Sequence, residues 1–220
     1  MRIASEIVAN GMKAGTAFMD ALTELVRAKG MTRIIETGTY MGTGTTRAIL
    51  RGYPGGRQFI SIECNPVHFE IATNNLEGQS VELLNGLSIP RELLPAKHEI
   101  TFDSYEIDTI VDHYPKERQQ KYYDECAYDV PDRMLDRAML FCQHYPEMVL
   151  LDSAGHIGTL EYDYLMTLLP KGIDFYLALD DTNHVKHEKT VRKIESSDGW
   201  ELVFHTDEKF GSRIYRIKIY

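Results

Sequence analysis

The chain has little of what would announce an unusual protein. Only three of its residues are cysteine, Cys64, Cys126 and Cys142, and no two form a C-x-x-C pair, which speaks against a disulfide framework and leaves three reduced thiols. No apolar run nears the roughly 18–20 residues that span a bilayer, so no membrane partner is expected. The start, Met1-Arg2-Ile3-Ala4-Ser5-Glu6, lacks the long apolar stretch of a secretory signal, and the expected address is cytoplasmic. Dense basic runs are missing too. A net charge of −9 opposes a phosphate backbone, whose partners carry a basic face, so no nucleic-acid partner is expected. No internal repeat or low-complexity segment is present. What remains, 43% hydrophobic and 26% charged residues, is the composition of an ordinary globular protein. The length suits a single domain, 1–220, able to bury its own core.

The hydrophobic pattern alternates between two periods. Helical spacing covers about residues 4–29, with Ala17, Phe18, Leu22, Leu25 and Val26 on one stripe and Gly30 as the cap. A short apolar strand follows at 33–37, then a helix at 45–51. The rhythm repeats with a strand at 58–63, a helix at 66–76 opened by a proline, and a strand at 81–85. Later come strands at 148–152 and 175–179, separated by a helix at 160–169, and a helix at 185–196. Segments 200–205 and 214–219 alternate and flank a turn at 208–211, the pattern of an antiparallel hairpin. Continuous apolar strands between helices predict an α/β fold: a Rossmann-like, doubly wound, mostly parallel seven-stranded sheet with a C-terminal antiparallel hairpin. Residues 91–146 exceed a simple crossover and are expected to form a helical insert, rich in tyrosine (Tyr105, Tyr114, Tyr122, Tyr123, Tyr128). Because it leaves the carboxyl end of the third strand, it is placed to act as a lid. A solvated elaboration is the alternative. The N-terminal helical segment, 1–30, and the insert are candidate surfaces for a homodimer.

The strongest local signal is Glu36-Thr37-Gly38-Thr39-Tyr40-Met41-Gly42-Thr43-Gly44-Thr45-Thr46, between the first strand and its helix. Glycines let the backbone turn tightly and come close to a ligand, and the helix start offers free N–H groups. That context fits a nucleotide-like ligand, although the spacing is not the G-x-G-x-x-G of dinucleotide folds. Glu63 ends the second strand, where a carboxylate can accept both vicinal hydroxyls of a ribose.

Glu36-x-Gly38-x-Tyr40-x-Gly42, followed by Ile62-Glu63-Cys64-Asn65-Pro66, resembles the class I S-adenosylmethionine-dependent methyltransferases. Within them it is most similar to the metal-dependent O-methyltransferases of the catechol and macrocin-type sugar groups. Leu84-Asn85-Gly86-Leu87-Ser88 resembles the family's adenine-holding segment. The resemblance covers most of residues 33–90 and 147–220. It implies S-adenosylmethionine as cofactor, with contacts at Glu36, Gly38, Tyr40, Gly42, Gly44, Glu63, Gly86, Ser88 and Asp152. Glu36 would orient the turn or hold the methionine amine.

Asp152 follows the fourth strand, and Asp180 and Asp181 follow the fifth. Adjacent parallel strands bring their carboxyl ends together, and converging carboxylates repel unless a cation or protons intervene. Hard oxygen donors suit Mg²⁺, Mn²⁺ or Ca²⁺, and the family resemblance implies such a site at Asp152, Asp180 and Asp181, with Mg²⁺ the expected ion. The alternative is helix capping by Asp181 and Asn183. His156 is the candidate general base beside Asp152. His184 and His187, three apart, are expected on an exposed first helical turn. The segment Asp152-Ser153-Ala154-Gly155 departs from the Asn/Asp-Pro-Pro-aromatic of enzymes that methylate base nitrogens, which favours an oxygen acceptor. The expected function is methyl transfer to a hydroxyl of a small molecule. The competing functions are a nicotinamide-dependent oxidoreductase, a non-catalytic cofactor-binding module and a metal-dependent hydrolase.

Overall fold

A computed structural model describes residues 15–56, 58–94, 124, 127–153 and 157–219. Strands β1 (Ile34–Thr37), β2 (Phe59–Glu63), β3 (Glu82–Asn85), β4 (Met148–Leu151), β5 (Asp174–Asp180), β6 (Trp200–Thr206) and β7 (Ser212–Lys218) form one sheet in the order β3-β2-β1-β4-β5-β7-β6. The first five are parallel, and β7 runs antiparallel between β5 and β6. β1, β2 and β4 are buried at every position; β4, Met148-Val149-Leu150-Leu151, is the unbroken apolar run that two covered faces require, while β1 and β2 also bury Glu36, Thr37, Ser61 and Glu63.

Successive strand residues face opposite sides, and each side builds its own core. On one, Ile34, Phe59, Met148, Leu150 and Ala178 pack with α1 (Ala17–Lys29) and α2 (Thr45–Gly52). On the other, Ile35, Ile60, Ile62, Val149, Leu151 and Leu177 pack with α4 (Met134–Phe141), α5 (Ile157–Leu168) and α6 (Glu188–Glu195). α3 (Pro66–Asn75) links β2 to β3. Local chemistry sets the helix ends. Thr16 Oγ1 accepts the Met19 N–H at the start of α1, and Gly30 closes it in the left-handed conformation. Asn65 Oδ1 accepts the Val67 and His68 N–H groups ahead of Pro66, opening α3.

The structure departs from the pattern in two places. Within 91–146 the described residues include a single turn, Arg91–Leu93, and α4, which buries Met134, Leu135, Ala138 and Met139. Among the described residues α4 lies between β3 and β4 along the chain and packs into the core. Tyr105, Tyr114, Tyr122 and Tyr123 lie outside the described residues, as do residues 1–14. The last helix starts at Glu188, not at 185, because residues 181–187 turn back against the strand ends.

Candidate active site

Strand register lines up the site before any side chain is considered. Thr37 pairs with Ile62 on one side and Leu151 on the other, and Leu151 pairs with Leu179. One residue further along, Glu63, Gly38, Asp152 and Asp180 therefore stand side by side on the carboxyl edge, with Asn85 beyond Glu63. The strand order reverses at β1, between β2 and β4; such a reversal opens a ligand crevice in a doubly wound sheet.

The glycine turn fits closely into this edge. Gly38 has φ +81°, and a Cβ there would lie 2.3 Å from the Asp152 carbonyl oxygen. Gly42 has φ +70°, and a Cβ would lie 2.6 Å from Leu76 Cδ1. Both positions therefore need glycine on conformational and steric grounds. Gly44 caps α2 with no side-chain hydrogen bond. Glu36 lies fully buried beneath the turn and accepts the hydroxyls of Thr45 (2.7 Å), Thr46 (2.7 Å) and Ser61 (2.6 Å). Burial pushes its pKa up against those three bonds. Its partners Thr45 and Thr46 open α2, so Glu36 ties the end of the turn to β1 and β2.

Glu63 is 6% exposed. Its Oε2 accepts the Tyr40 N–H at 2.6 Å and its Oε1 the Asn65 N–H at 2.8 Å. The Tyr40 side chain is half exposed and meets His68 edge-on, with centroids 4.6 Å apart. Gly86 packs its backbone against the Pro131 carbonyl. Ser88 is buried, its hydroxyl donating to Glu161.

At the β4–β5 end, ligand oxygens of Asp152, Asp180 and Asp181 lie within 4.8 Å of one another, so the three acids converge as their positions predict. Lys186 lies between two of them: its ammonium is 2.8 Å from Asp152 Oδ1 and 2.7 Å from Asp181 Oδ2, with its side chain 4% exposed. Ser212 donates to Asp180 Oδ1 at 2.6 Å. Burial, reinforced by Asp180 and Asp181, pushes Asp152 up to about 8 against the pull of the ammonium. At Asp181, which is more exposed, burial is outweighed by Lys186 and the pKa is lowered. Burial also works against the charge of Lys186, but the acids overcome it and hold the lysine above its ordinary value.

Asp181 is not a helix cap, since α6 starts seven residues later with no side-chain cap, and Asn183 donates to Asp207 instead. His184 and His187 are buried, not exposed. The His184 Nδ1 accepts the Lys186 N–H, and His187 Nε2 lies 3.1 Å from the Leu151 carbonyl. Burial and the neighbouring Lys186 push His187 down to about 3, so it is neutral. Both histidines shape the loop that carries Lys186. His156 lies outside the described residues.

Two residues of this edge escaped the sequence pattern. Lys186 carries the charge that three clustered acids demand, and it is the first cation after Asp181; the expectation of a helix from 185 hid its reach. Glu161 is buried on α5 and accepts Thr37 Oγ1 (3.1 Å), Ser153 Oγ (2.7 Å) and Ser88 Oγ. It ties together the end of β1 and the segments after β3 and β4. Its signal was an acid at helical spacing between buried Ile157 and Leu165. Burial pushes Glu161 up to about 7.

No family model matches the sequence, and no curated protein matches it. Solved structures do. An O-methyltransferase from Bacillus cereus, solved in complex with SAH, is 14% identical with a TM-score of 0.55, covering 99% of this chain and 91% of that one. TomG from Streptomyces achromogenes, an O-methyltransferase of tomaymycin synthesis in complex with SAM, is 15% identical with a TM-score of 0.55, over 99% and 86%. A putative caffeoyl-CoA O-methyltransferase from Staphylococcus aureus is 12% identical with a TM-score of 0.55, over 99% and 90%. At these identities the likeness is one of fold. The chain has the fold of class I, S-adenosylmethionine-dependent O-methyltransferases, the group its motifs resemble.

Proposed function

We propose that this chain is an enzyme that transfers a methyl group from S-adenosylmethionine to a hydroxyl oxygen of a small molecule. The observation that carries this reading is Glu63: a nearly buried carboxylate at the crevice, beside the glycine turn. The backbone N–H groups of Tyr40 and Asn65 fix one oxygen each. The acid is thereby held in place at the crevice, and a carboxylate is the kind of acceptor that ribose hydroxyls need. The N-terminus of α2, without a side-chain cap, suits the methionine carboxylate. Gly38, Gly42 and Gly44 give the backbone its close approach, and Gly86 and Ser88 belong to the adenine side.

When bound, the cofactor supplies a methyl group on positively charged sulfur. The chain's part is to hold the acceptor oxygen in line with it, from which most of the acceleration would come. His156 takes the hydroxyl proton in this scheme. Asp152, Asp180 and Asp181 have the hard donors for a divalent ion such as Mg²⁺, which would lower the pKa of the acceptor hydroxyl. One observation favours a second source of positive charge: the Lys186 ammonium already lies across two of those acids.

Thermal melting with SAH and, separately, with NADH tests the reading against a nicotinamide enzyme. Stabilisation by SAH alone is the expected result, since a ligand that binds only the folded state raises the melting temperature. Stabilisation by NADH alone would overturn it.

A further inference from the structure

We propose that Lys186 is the built-in cation of the Asp152–Asp180–Asp181 cluster and that the chain places this ammonium, rather than a bound divalent ion, at the acceptor side of its active site. The inference rests on the methyltransferase reading for the place of the acceptor, but not for the ion pairs themselves.

Three features hold the ammonium where it is. It bridges Asp152 Oδ1 and Asp181 Oδ2 at 2.8 and 2.7 Å, so one oxygen of each of these acids is already paired with a cation. The stem of Lys186 is packed: a Cβ on Gly158 of α5 would lie 2.5 Å from the Lys186 carbonyl oxygen and 2.8 Å from its Cγ. The Lys186 N–H is held by His184 Nδ1. A surface lysine could swing its head into water and yield its place to a metal. Lys186, 3% exposed, would have to leave its carboxylates while still buried, and an unpaired buried charge is costly. The third acid is engaged from the other side by the Ser212 hydroxyl. The segment 181–187 supports this arrangement: Asp181 takes a left-handed backbone, φ +60°, and the chain turns so that Lys186 points back at the strand ends.

In this arrangement the positive charge beside the acceptor oxygen is fixed in the protein. It is a hydrogen-bond donor to an oxygen and needs no ion from solution. A divalent ion entering the cluster would meet a fixed positive charge among its own ligands.

The experiment uses Mn²⁺ as the probe, with the six-line electron paramagnetic resonance signal of free Mn²⁺ as the readout. Wild-type protein, K186R and K186M are titrated, with SAH binding followed in the same samples by calorimetry. Wild type and K186R are expected to leave the free Mn²⁺ signal intact, whereas K186M binds one Mn²⁺. Even a water-like medium, with the charges about 4 Å apart, makes the expected gain on the order of thirtyfold or more. Tight, stoichiometric Mn²⁺ binding by wild type overturns the proposal, as does a K186M protein that ignores Mn²⁺. Should K186M not fold, K186Q takes its place, and the wild-type titration stands regardless. SAH binding is a separate readout: its loss in wild type would count against the methyl-donor reading and leave the ion-pair result as it is.

Discussion

The two halves of the carboxyl edge hold buried acids by different chemistry. On the β1–β2 side, the carboxylates accept neutral donors: the hydroxyls of Thr45, Thr46 and Ser61 at Glu36, and the backbone N–H groups of Tyr40 and Asn65 at Glu63. On the β4–β5 side, Asp152 and Asp181 share the ammonium of Lys186. Neutral donors fix an acid in position, as the proposed ribose site requires. An ammonium cancels charge and sets up a fixed positive centre, which suits a site where an oxygen must give up a proton. Glu161 joins the halves, taking hydroxyls from Thr37, Ser88 and Ser153.

The comparison can be broken most severely at Lys186. Replacing it with Met leaves buried carboxylates without their partner, and breaking such a pair costs about 3–5 kcal/mol; urea unfolding of K186M in metal-free buffer checks this. The next effect is a pH dependence at Glu161, whose pKa rises from an ordinary 4.5 to about 7 on folding. Between those values the folded chain binds the proton more tightly than the unfolded one. This contribution is therefore fully present below about pH 4.5 and is lost as pH rises to about 7. It amounts to about 3 kcal/mol. E161Q, which cannot titrate, should lack that slope when the two stability profiles are subtracted.

Glu63→Ala sharpens the other half. It removes the acceptor for two ribose hydroxyls and should weaken SAH by about 2 kcal/mol, roughly thirtyfold, while leaving the Lys186 pairs intact. Smallest is Ser88→Ala, which takes one hydroxyl from Glu161 and should cost about 1 kcal/mol in urea unfolding.

The β1–β2 half was legible in the sequence because its signals are local. A strand, a glycine turn and an acid after the next strand follow one another at short spacing, and apolar periodicity places all seven strands. The convergence of Asp152, Asp180 and Asp181 was also legible, since parallel pairing alone brings those strand ends together. Lys186 was not: its role depends on a loop of buried histidines folding back, while its local pattern reads as the first turn of a helix. Glu161 was hidden for a related reason. A buried acid on a helix is explained only by hydroxyls that the fold brings to it from the end of β1 and from the segments after β3 and β4. Nor did the tyrosine-rich stretch show that its end, Met134–Phe141, packs into the core, because the length of 91–146 drew attention away from that short apolar helix.

The most direct test of the central claim is a calorimetric titration of SAH into wild-type protein and E63A, each with EDTA and with Mg²⁺. Wild type is expected to bind one SAH per chain, E63A clearly more weakly, with little change in either on adding Mg²⁺. No binding by wild type, or equal binding by both proteins, would contradict it.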